Sequence, residues 1–107
     1  MRLGRRSRFQ DLVERQLDLF ADDDAHLLQE ASEAEAAWNR VGRDESEEAY
    51  ADYQLVVDAI ADRLLDIRET YRHTLAPESD DEYAAAFTKA ATRRFRRFAT
   101  LLADLDE

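Results

Sequence analysis

The chain has 107 residues, 37% of them charged and 45% hydrophobic, with 15 basic against 25 acidic side chains and a net charge of −10. That length supports one domain with a modest core over residues 1–107, and the apolar content is too high for a fully disordered chain. Two glycines and one proline are too few for the turns of a sandwich or barrel, the lack of cysteine excludes disulfides and thiol chemistry, and the acidic excess works against binding a phosphate backbone.

Residues 1–6 include Arg2, Arg5 and Arg6 and are expected to form a basic, flexible N-terminal arm. No apolar stretch of leader length follows them, and no apolar run approaches the roughly 20 residues that cross a bilayer. The expectation is a cytoplasmic chain with no membrane contact. Ser7 and Gln10 have the spacing of a capping box and open a first helix expected over about 7–41. Its broad apolar stripe runs through Phe9, Leu12, Val13, Leu17, Phe20, Leu27, Ala31, Ala34, Trp38 and Val41. Any residue of Asp22-Asp23-Asp24 would cap a fresh helix, but the stripe keeps its phase across them and favours continuity. Gly42 reads as a left-handed stop.

Asp44 and Glu47 repeat the capping spacing and open a second helix over about 44–75, with Pro77 beyond its end. Here Tyr50, Val57, Leu64 and Tyr71 recur every seven residues, with Tyr53, Ile60, Ile67 and Thr74 as a companion row. Such a seam packs like a coiled coil. Ser79 and Glu82 open a third helix over about 79–105, with Ala84, Phe87, Ala91, Phe95, Phe98, Leu101, Leu102 and Leu105 facing inward. The sequence therefore predicts an all-α fold: an up-down-up bundle of three long antiparallel helices with coiled-coil-like packing.

Polar residues inside apolar stripes are the informative ones. Gln16 and Asp23 interrupt the first stripe, and Arg94 stands in the row between Phe87 and Leu101. Counting across the two links sets Arg94 within about a turn of Asp23 and Asp24, so Asp23 and Arg94 are the candidate buried polar pair, fixing register. A pocket where Arg94 binds a carboxylate or phosphate is the competing reading. Arg93, Arg96 and Arg97 point outward and form a candidate anion patch, although the acidic run 22–24 at similar height favours charge matching within the chain. Leu28, Leu55 and Leu65 fall off the main stripes and are the candidate interaction surface.

Catalytic and metal constellations are missing. His26 stands near Asp22, Asp23 and Glu30, and His73 follows Glu69, but a di-metal bundle needs paired Glu-x-x-His elements and the chain has none. The glycines, Gly4 and Gly42, make no phosphate loop. No catalytic residue, metal or cofactor is expected. Trp38-Asn39-Arg40-Val41-Gly42 resembles the central turn of small helical-hairpin Esx-type secretion substrates in composition. Its spacing departs from their Trp-x-Gly, and Gln54 and Phe87 stand where their export signal has an acid after a tyrosine, so the chain is not assigned to them.

The expected function is a non-catalytic protein–protein interaction or regulatory module, as a homodimer or with another protein. One alternative is a nucleic-acid-associated accessory protein using the basic arm and the 93–97 patch. A second is a small-anion binder or enzyme centred on Arg94.

Overall fold

The structure, a computed structural model, describes residues 8–98. It contains α1 (Gln10–Asp23), α2 (Ala25–Arg40), α3 (Arg43–Arg72) and α4 (Pro77–Arg94), then a 3-10 turn over Arg96–Phe98, with no strand among the described residues. The fold is all-α, but it has four helices where three were expected. The segment expected as one helix over 7–41 divides at Asp24, whose φ of −112° and ψ of 29° leave the helical region. Its N–H still donates to Phe20 O, and its carbonyl accepts from the Leu27 N–H. Three consecutive aspartates are poor helix formers and meet the negative end of the α1 macrodipole. The Asp24 carboxylate is also drawn sideways, to Arg63 Nε at 3.2 Å. Because the break uses a single residue, the apolar phase survives it and conceals it in the sequence.

The break changes which helices are partners. α2 packs chiefly on α3 and antiparallel to it, with the Trp38 ring 4.7 Å from Tyr50 and 5.7 Å from Tyr53. α4 returns along α3, joined by Tyr71–Tyr83 rings at 4.9 Å. α1 packs chiefly on α4 and runs in the same direction, with Phe9 on Tyr83 at one end and Phe20 on Phe95 at the other. The body measures 52 × 34 × 24 Å. Its core gathers Val13, Leu17 and Phe20 of α1, Val57, Ile60 and Leu64 of α3, and Tyr83 and Phe87 of α4, all fully enclosed.

Both links depart from the expected chemistry. Gly42 is extended, with φ of −79° and ψ of 177°, and serves as the N-cap of α3. The turn is made by two extended residues, Val41 and Gly42, so no left-handed stop is needed. No side chain caps α3, and a Cβ at Gly42 would meet nothing within 4 Å. Gly42→Ser is therefore expected to stabilise the fold by about 0.5–1 kcal/mol, through a new cap hydrogen bond and a less flexible unfolded chain. Thermal unfolding checks this; an unchanged or lower midpoint refutes it.

α3 ends at Arg72, and α4 begins at Pro77 with Ala76 as its N-cap. Proline suits the first helical position, where its missing N–H has no partner to lose. Ser79 is consequently inside the helix, buried, and its hydroxyl accepts from Arg8 Nη1 at 3.3 Å. Arg72 clamps the link by reaching Asp80 and Asp81. The expected helix to residue 105 ends earlier, because α4 stops at Arg94 and Arg96–Phe98 tighten into a 3-10 turn that turns Phe98 onto Tyr53. The expected arm over residues 1–6, and Leu101, Leu102 and Leu105, lie outside the described residues.

Candidate groove between the first and last helices

Where α1 and α4 run side by side, small residues on α4 leave a groove of about 550 Å³. Val13 and Leu17 of α1 and Ala86 and Ala90 of α4 form its floor. An alanine at each position keeps the α4 side shallow, while Val13 and Leu17 opposite stay buried at 1% and 2% exposure. Helical spacing builds the rims. Gln10, Glu14 and Asp18 are four residues apart on one edge of α1, and Lys89 and Arg93 stand in the same relation on α4. One rim is thus acidic and the other basic. Arg94 closes one end by donating from Nη1 to Asp18 Oδ1 at 2.6 Å. Lys89 and Arg93 are exposed, and neither forms an ion pair among the described residues.

The candidate pair Asp23–Arg94 does not form. Asp23 is exposed, and Arg94 is also exposed and bonded to Asp18. The expected height assumed an unbroken first helix. With the break at Asp24, α1 takes its own register on α4, and Asp18 arrives beside Arg94. Asp23 lies five residues on, about 7.5 Å further along the axis and about 140° around it.

The candidate anion patch divides in the same way. Arg97 is engaged by Glu35 and lies near Ser32 on α2, so it serves as a tie between α2 and the end of α4. Arg93 belongs to the groove, and Arg96 is exposed on the 3-10 turn. The arginines at 93, 96 and 97 therefore do not present one undivided cationic face.

The three leucines do not form one surface either. Leu28 and Leu65 are half-buried and pack against the core, leaving Leu55 exposed at 68%. Ten residues separate Leu55 and Leu65, which turns them about 80° apart around α3. Leu19, on α1, is the other large exposed apolar side chain among the described residues.

Two buried polar arrangements escaped sequence reasoning in part. Gln16 stood out as polar within a stripe, and it accepts a hydrogen bond from the Tyr83 hydroxyl at 2.7 Å. Tyr83 itself, one residue before the assigned α4 stripe, is fully enclosed; its place four residues before Phe87 was the available signal. Burial pushes its phenol up to about 12, against the opposing effect of the Gln16 hydrogen bond. Arg68 was not anticipated at all. It is only 5% exposed, and donates from Nε to Glu69 at 2.8 Å and from Nη1 to the Thr88 hydroxyl at 2.8 Å. It stands seven residues from Ala61 and from Leu75, a third row beside the recognised seam, and this row faces α4. Burial alone would raise the Glu69 carboxyl, but the hydrogen bond and charge of Arg68, with the charge of Arg72, outweigh it and hold the group below its usual range. Every buried side-chain polar atom among the described residues has a partner.

The groove's charges lie on open rims in water. Among the described residues no cluster of three or more His, Asp or Glu could hold a metal ion, and no helix is long and apolar enough to cross a membrane. Compared with known proteins, the chain matches no family model, no curated protein and no solved structure.

Proposed function

We propose that this protein is a non-catalytic helical interaction module of the cytoplasm that docks a protein surface in the groove between α1 and α4. The observation that supports this reading is a shallow groove, walled on α4 by the half-buried Ala86 and Ala90, between an acidic rim and a basic rim whose Lys89 and Arg93 form no ion pair among the described residues. Arg63, Arg72, Arg94 and Arg97, by contrast, each reach a carboxylate of this chain. The engagement of Arg94 and Arg97 by Asp18 and Glu35 also argues against the 93–97 segment as a nucleic-acid patch and against Arg94 as a free anion receptor.

A photoreactive amino acid placed at Ala90, in cells that make the protein, tests this. The expected result is a discrete protein adduct at Ala90 and none with the probe at Asp58, an exposed position on α3. Equal adducts at both positions, or none at Ala90, overturn the reading.

A further inference from the structure

We infer that the occupant of the α1–α4 groove is a second copy of this chain, related by a two-fold axis running along the groove; this rests on the docking reading above. The two rims make the face self-complementary. Turning one copy over about an axis parallel to α1 and α4 lays each α1 on the α4 of the other copy, acidic rim on basic rim, twice. Such an interface is isologous, with the same residues contributed from both sides.

The register supplies the second argument. Rotation about an axis along the helices moves nothing along that axis, so facing residues must already stand at the same height within one copy. The contacts Phe9–Tyr83, Phe20–Phe95 and Asp18–Arg94 fix the height of α1 against α4. Carried along the groove, that register sets Glu14 level with Lys89 and Asp18 level with Arg93. In the dimer Glu14 faces Lys89 of the second copy, and Asp18 faces Arg93 of the second copy. A two-fold axis across the groove would instead oppose carboxylates to carboxylates and cations to cations, which like-charge repulsion disfavours. Ala86 and Ala90 are small and half-buried, which allows the two helix pairs to approach closely along the groove. The groove extends only from Gln10 to Asp18 on α1, so the interface is small and the dimer reversible.

Charge reversal with mixing tests the inference. Wild type, Glu14→Lys/Asp18→Lys and Lys89→Glu/Arg93→Glu are each examined by sedimentation equilibrium at about 0.15 M salt, where screening limits the long-range repulsion of two acidic chains. Wild type is expected to form dimers, and each reversed variant alone to associate at least about tenfold more weakly. An equimolar mixture of the two variants is expected to associate again, because each acidic rim then finds a basic one. Wild type that stays monomeric, reversed variants that dimerise like wild type, or a mixture of helical variants that stays monomeric each overturns the inference.

If a reversed variant loses helicity, single substitutions decide, since the chain has no cysteine of its own. Glu14→Cys mixed with Lys89→Cys and oxidised with diamide is expected to give 14–89 linked dimers in preference to like-with-like products; no preference overturns the pairing. Failure here leaves the adduct at Ala90 as a separate measurement. An adduct to a different protein keeps the docking reading and removes the second copy.

Discussion

Replacing Phe87 with alanine is expected to lower the stability of the fold by about 3–5 kcal/mol. Phe87 is fully enclosed, its ring centroid is 6.1 Å from that of Tyr83, and it lies on α4, which packs against both α1 and α3. Removing the ring forfeits its transfer from water and leaves a cavity at the point where those two contacts meet. A domain of this length has a total stability on the order of 5–15 kcal/mol, so the loss takes a large share. Urea unfolding followed by circular dichroism measures it. The midpoint is expected to fall sharply with the slope unchanged, and a loss below about 1.5 kcal/mol would refute the central position assigned to this ring.

The second large effect appears at alkaline pH. The enclosed Tyr83 phenol is pushed up to about 12, whereas in the unfolded chain it ionises near 10. Between those values the unfolded state has released a proton that the folded state still holds. Stability is therefore complete below about pH 10 and declines as pH rises toward about 12, by about 1.4 kcal/mol per pH unit and about 2–3 kcal/mol in all. Tyr53 is also raised, by burial first and then by the charge of Glu35, so wild type alone does not isolate Tyr83. Tyr83→Phe does. The variant leaves Gln16 Oε1 without its donor and is expected to be less stable by about 1–2 kcal/mol at neutral pH. Above pH 10 its stability is expected to decline less than that of wild type, so the two curves converge. Parallel curves from pH 8 to 12 would show that this phenol does not govern the alkaline loss.

The helical content and most of the core were legible because periodicity reports burial directly. Val57, Ile60, Leu64, Phe87, Ala91 and Phe95 were all placed inward from spacing alone, and all are buried. Helix ends were less legible. Pro77 marked the end of the helix before it, and it also opens α4, two residues earlier than expected, since its fixed φ suits the first helical position. Gly42 suggested a left-handed stop, but its neighbours allowed an extended turn.

The break at Asp24 was the costliest omission. It leaves hydrophobic phase untouched while changing which helix lies beside which, and so the expected partner of Arg94 was five residues from the observed one. The groove could not have been read from the sequence, because its floor is made where alanines meet aliphatics across helices far apart in the chain. Gln16 was the exception: a polar residue in an apolar row demands a partner, and Tyr83 supplies it.

The split at Asp24 also sets the length of chain that each helix contact must close. α2 and α3 are joined by the two residues Val41 and Gly42, so their pairing closes a short loop at little entropic cost. α1 rests chiefly on α4, and about half of the chain lies between them, so that contact closes a far longer loop. A single rigid rod over the first forty residues would have carried α1 into place with the hairpin. Division leaves the position of the first segment dependent on a helix far along the chain, through the contact with the longest loop to close.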